Sequence, residues 1–177
     1  MNLDESEKDA AIKSFIDLVR FPTVSALGPT NSSYVDCVEY LKSYCLEIGL
    51  SEVEILECSK INKPILKASW IGSQPNLPVI VLNSHYDVVP AIPEDWTVEP
   101  FQGTRKDGKI YGRGTQDMKC VCIQYLVAIR KLMVSGFIPV RSIHLTFVPD
   151  EEIGGSIFPS SLSERYSYLK TNSTVIL

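Results

Sequence analysis

The chain has 177 residues, of which 45% are hydrophobic and 21% charged, and its net charge is −4. That length and balance fit one soluble globular domain with a core of its own, while the acidic excess and the lack of any Lys/Arg block argue against a nucleic-acid surface. No apolar run approaches the roughly 20 residues that span a bilayer, and the acidic start MNLDESEKDAAIKS is unlike a signal peptide.

In chain order, the first helix is predicted from Asp4 to Arg20, where Ala11, Ile12, Phe15, Ile16 and Val19 form a stripe at helical spacing. Ser6 and Asp9 are spaced for a capping box, and the dipeptide Phe21-Pro22 ends the helix. A second helix is predicted from Asn31 to Ile48, capped by Asn31 or Ser32 and closed by Gly49 in the left-handed region. Strands follow at Val53–Glu57, Ile65–Trp70 and Val79–Asn83. The last of these alternates weakly, as a strand buried on both faces does. Ala91 to Phe101 has no period and reads as a loop, and Asp107-Gly108 marks the turn of a hairpin. A third helix is predicted from Lys119 to Ser135, a strand from Arg141 to Val148, a short helix between Pro159 and Leu169, and a final apolar strand, STVIL, from Ser173 to Leu177.

Helices alternating with strands predict an α/β domain, a mixed or parallel sheet covered on both faces. In such sheets ligands bind beyond the carboxyl ends of the strands. Three polar clusters stand there: SHYD after the Val79 strand, GRGTQDMK between hairpin and helix, and PDEEIGG after the Arg141 strand. Together they make sense as metal chemistry. His85 is a candidate ligand, and Asp87, two residues on and on the same strand face, can orient its ring. Asp117 lies in a glycine-rich turn, where a carboxylate can approach a neighbouring strand end and bridge two ions. Glu151 and Glu152 offer a base and a ligand, provided that Pro149 and the following IGG make the chain turn there, because adjacent side chains on a straight strand point opposite ways. Each has another reading: Asp117 as a helix cap, the glutamates as a solvated loop end. His144 reads as a sheet-face histidine, Trp96 and Phe101 as loop packing, and Cys120 and Cys122 as structural, since i and i+2 on a helix face different ways. The five cysteines (Cys37, Cys45, Cys58, Cys120, Cys122) lack the spacing of a secreted framework, which points to a reducing, cytoplasmic setting.

NSHYDVVP, DWTVEPFQGTRKDGKIYGRGTQDMK and TFVPDEEIGG, in this order and spacing, resemble the aminoacylase/carboxypeptidase family of dinuclear zinc hydrolases. QDMKCVCIQYL and VPDEEIGG look most like its cytosolic members that act on N-acyl-L-amino acids. The resemblance implies a three-layer α/β/α domain with a mostly parallel mixed sheet and a site for two zinc ions. In it His85 binds one zinc, Glu152 the other, and Asp117 both. Asp87 supports His85, and Glu151 is the general base. It further implies a cis Asp117–Met118 peptide, an N-acyl amino acid as the small-molecule substrate and a homodimer in the full-length form. Against that family the chain is expected to be the amino-terminal part of a catalytic domain. A further acidic ligand, a distant histidine and a lid or dimerisation domain would all lie beyond Leu177. Taken alone, the chain is expected to be inactive, with Val175 to Leu177 on an exposed sheet edge. The alternatives are a zinc exopeptidase or dipeptidase of the same family, or a non-catalytic remnant of the fold.

Overall fold

A computed structural model of the chain describes residues 3–25, 27–56, 62–154 and the strand 174–176. The first helix, α1 (Glu5–Val19), starts at Asp4, whose carboxylate accepts from the Glu7 amide while the Glu7 side chain accepts from the Asp4 amide. The capping box is therefore Asp4 with Glu7. Ser6 and Asp9, the pair expected from spacing, lie inside the helix, because the chain already leaves helical dihedrals at Asp4 (ψ 173°). The second helix, α2 (Ser33–Glu47), is preceded by Asn31, which accepts from the Ser33 amide at 2.9 Å. Gly49 follows it at φ +87°, the left-handed position expected.

Strands β1 (Ser51–Leu56), β2 (Ile65–Trp70) and β3 (Ile80–His85) come next, then the hairpin of β4 (Thr104–Lys106) and β5 (Lys109–Tyr111), α3 (Lys119–Val134), β6 (Ile143–Val148) and β7 (Thr174–Ile176). Asp107 and Gly108 both take positive φ, the backbone of a two-residue hairpin turn. The main sheet has the order β1-β2-β6-β3-β7 among the described residues. β3 lies between β6 and β7 and runs parallel to both, whereas β1 and β2 pair antiparallel with each other and β2 with β6. Parallel pairing is thus confined to one half of the sheet. The connection from β1 to β2 is too short for the dozen or more residues that a parallel crossover needs. The helix expected between Pro159 and Leu169 lies outside the described residues.

Register sets the core. Leu66 and Ala68 of β2 stand beside Phe147 and Leu145 of β6, and Leu145 beside Leu82 of β3. By strand alternation these side chains share one face. Val38, Leu41 and Cys45 of α2, Cys122, Leu126 and Ile129 of α3, and Leu18 at the end of α1 close over it as one buried cluster. Each such aliphatic burial is worth roughly 1.5–3 kcal/mol. Lys67, Ser69 and His144 belong to the opposite face, where His144 is buried with Nδ1 2.8 Å from Ser69 Oγ. The packing leaves the carboxyl ends of β3 and β6 side by side, His85 opposite Val148.

Candidate metal centre

β3 does not stop at Asn83, as its apolar run suggested; it continues through His85, which is the last strand residue and 4% exposed. The chain stays extended beyond it because a second segment pairs with it. Val88 donates to Thr23 O, Ser25 to Val88 O, and the Thr23 hydroxyl to Tyr86 O. This keeps His85 and Asp87 on the same side. His85 Nδ1 lies 3.1 Å from the Asp87 carbonyl and 3.3 Å from its carboxylate, and Nε2 lies 3.0 Å from Asp117 Oδ1. Asp87 is fully buried. Its carboxylate does more than face the imidazole: it accepts from the Ser25 hydroxyl at 2.8 Å and from the amides of Glu151 and Glu152 at 3.1 and 3.2 Å.

β6 leaves the sheet differently. Asp150 takes φ +61° and Glu151–Ile153 form a single 3-10 turn, so the two glutamates no longer alternate. Glu151 Oε2 comes to 3.6 Å from His85 Nε2. One ligand atom each of His85, Asp117 and Glu152 lies within 4.8 Å of the others.

Asp117 arrives from the turn before α3. Gly114 there has φ +83°, and a Cβ on it would come within 2.6 Å of Val88, so the chain can pass this close only as glycine. The Asp117–Met118 peptide is cis. Met118, with no capping side-chain bond, occupies the N-cap position of α3, so Asp117 is not its cap. Its side chain is 71% exposed. Behind it Lys119 is buried, its ammonium donating to Leu18 O at 3.1 Å and Phe21 O at 2.6 Å, which ties the turn to the end of α1.

Four carboxylates surround one imidazole, and the charges respond. Burial works against protonation of His85, but hydrogen bonding and charge from Asp87, then Asp117, outweigh it and lift its pKa to about 9. Burial would raise Asp87, yet the bonds from His85 and Ser25 hold its pKa below the usual value. Glu152 is pushed up by burial and then by the negative charge of Asp117, with His85 opposing. A divalent cation would relieve that crowding of like charge. The donors are one imidazole nitrogen with a seated second nitrogen and carboxylate oxygens, a set that suits such an ion.

Other candidates fall away from the centre. Cys122 is buried against His85 O, and burial pushes its thiol up to about 12. Cys37, Cys45, Cys120 and Cys122 are all free thiols, and Cys58 lies outside the described residues. Trp96 packs in its loop under the Arg113 guanidinium, 5.2 Å from the ring centroid. Sequence reasoning missed Ser25, a lone serine with no motif around it. It also missed Asp150, although aspartate directly before a glutamate pair that must turn is a residue that tolerates the left-handed region.

Residues 81–168 match the model of peptidase family M20/M25/M40. Aminoacylase-1 of Sus scrofa is 46% identical over 127 residues, 69% of this chain and 30% of that protein. Aminoacylase-1 of Homo sapiens is 39% identical over 154 residues, 84% of this chain and 35% of that protein. The chain thus spans about a third of the length of these relatives. Among solved structures, the dipeptidase Dug1p of Saccharomyces cerevisiae superposes with TM-score 0.80 at 22% identity, over 97% of this chain and 38% of that one. The metallo-carboxypeptidase Sso-CP2 of Sulfolobus solfataricus gives 0.80 at 24%, over 98% and 37%. Motifs, fold and the placement of the acidic cluster at the strand ends agree, and the chain belongs to peptidase family M20/M25/M40.

Proposed function

We propose that these residues form part of the centre of a zinc-dependent hydrolase that cleaves the amide bond of N-acyl-L-amino acids into a carboxylic acid and a free amino acid. The observation that carries this reading is the meeting of His85, Asp117 and Glu152 beside a second glutamate, Glu151, whose amide is held by Asp87 and whose carboxylate stands 3.6 Å from His85 Nε2. His85 would hold one ion, Glu152 the other and Asp117 both. Bound there, zinc would supply Lewis acidity that lowers the pKa of a water nucleophile and polarises the scissile carbonyl.

The chain's own residues supply the rest. The Asp87 carboxylate and carbonyl hold His85 Nδ1, so that Nε2 faces Asp117 and Glu151. Glu151, 58% exposed at its side chain, takes the proton of the attacking water and delivers it to the amide nitrogen as the C–N bond breaks and the new C–O bond forms. Such acid–base transfer is worth roughly 10²–10⁴-fold in rate. Relatives bearing the name aminoacylase match at 46% and 39% identity, and the dipeptidase likeness stands at 22%, which favours N-acyl amino acids over dipeptides. The free thiols among the described residues support a cytoplasmic setting. The homodimer rests on family resemblance alone. In a polypeptide that carries the remaining ligands, release of methionine from N-acetylmethionine, dependent on zinc, tests the reading. Preferential cleavage of dipeptides would favour the exopeptidase alternative, and zinc binding with no turnover of either class would favour the remnant.

A further inference from the structure

The two glutamates stand beside one imidazole where the chain leaves β6 through Asp150, whose φ of +61° L side chains seldom adopt. Asp150 is 2% exposed, and both of its oxygens are taken up by groups other than the candidate ligands. Oδ1 accepts from the Tyr34 hydroxyl at 2.9 Å, and Oδ2 pairs with the Lys63 ammonium. Tyr34 is itself immobilised. It is fully buried, lies edge-on to Tyr86 with centroids 5.1 Å apart, and rests so closely on Gly28 that a Cβ there would come within 1.9 Å of its ring. Tyr86 in turn donates to Pro64 O at 2.7 Å, the residue after Lys63. Asp150 is therefore clamped between the start of α2 and the entry to β2, elements that carry none of the candidate ligands.

We propose that Asp150, clamped by Tyr34 and Lys63, is the positioning residue of the acidic pair: it fixes the left-handed turn that puts Glu151 and Glu152 on one side and aims their amides at Asp87. Its value to catalysis rests on the function proposed above; its control of the turn does not.

Amide hydrogen exchange in the metal-free chain separates the two. In Asp150→Ala, and more weakly in Tyr34→Phe, the Glu151 and Glu152 amides should exchange faster by about tenfold or more, the factor carried by a hydrogen bond to a charged group. The Leu145 and Phe147 amides of β6 should keep their protection. Asp150→Asn keeps an acceptor for Tyr34 and tolerates the left-handed region, so it should restore most of the loss. Zinc titration should follow the same order, with affinity falling about tenfold or more in Asp150→Ala and recovering in Asp150→Asn. Unchanged Glu151 and Glu152 exchange in both Asp150→Ala and Tyr34→Phe would overturn the assignment. So would an equal loss across β6 in every variant, since that is general destabilisation. If the turn amides respond as expected but the unaltered chain takes up no zinc, the assignment of the turn stands and the metal reading falls.

Discussion

β3 and β6 are parallel neighbours that end at the same edge of the sheet, yet they deliver their charged residues by opposite means. β3 stays extended past its last strand residue, because the 23–25 segment pairs with 86–88, so ordinary alternation puts His85 and Asp87 on one side. β6 breaks at once into a left-handed residue and a 3-10 turn, so that two consecutive glutamates converge. An extended end selects residues two apart and a broken end selects neighbours. The two modes are joined by Asp87, which holds the imidazole from one strand end and both glutamate amides from the other.

The largest expected effect separates the two neighbours that the broken end brings together. In a full-length form, Glu151→Gln should keep zinc and lose roughly 10²–10⁴-fold in hydrolysis, while Glu152→Gln should lose zinc. The reverse pattern, read by metal analysis beside turnover of N-acetylmethionine, would mean that the two roles had been assigned the wrong way round.

Asp87→Ala cuts the link between the ends. It removes one member of a buried charged set and leaves His85 Nδ1 with only the backbone carbonyl of residue 87 and the Ser25 hydroxyl with only Val88 O. Urea unfolding should show a loss of about 3–5 kcal/mol, with the Glu151 and Glu152 amides losing protection. An intact Glu turn in this variant would break the comparison by showing that the two ends are independent.

The extended end also titrates. His85 is raised from 6.5 to about 9, so in the metal-free chain its stabilisation is complete below pH 6.5 and fades as pH rises through about 9. Zinc affinity should run the other way, climbing about tenfold per pH unit over that window, because the ion must displace the imidazole proton. Calorimetric titrations across the window measure both slopes, and a flat zinc affinity would remove His85 as a ligand. Asp87, with its pKa held down, has the opposite sign: its contribution is present above 3.8 and disappears as pH falls through its folded value.

Ser25→Ala should have the smallest effect, about 1 kcal/mol of stability for one lost hydrogen bond, with little change in zinc affinity because His85 and both glutamate amides keep their places on Asp87.

Much of this was legible in the sequence because it is local. Helical stripes in α1, α2 and α3, the Asp107-Gly108 turn and the clusters after the strands all follow from residue spacing. Of the sheet's antiparallel half, the pairing of β1 with β2 follows from their short connection, whereas that of β2 with β6 was not legible, since it joins segments far apart in the chain. The capping pair slipped from Asp4 and Glu7 to Ser6 and Asp9 because several acids and a serine crowd that turn, and composition alone does not choose among them. The link through Asp87 was half legible. His-x-Asp announces that one side chain supports the other, but the two glutamate amides that Asp87 also holds come from a turn created by Asp150, Tyr34 and Lys63, three residues scattered along the chain.

The central claim is that both strand ends serve one metal site, and zinc-edge anomalous diffraction from crystals of the chain soaked in zinc tests it most directly. The result expected is two zinc peaks sharing Asp117, one about 2.0–2.2 Å from His85 Nε2 and the other about 2.0–2.2 Å from a Glu152 carboxylate oxygen, with the first absent in His85→Ala crystals. Zinc density at His144 or Cys120, with none against His85, would contradict it.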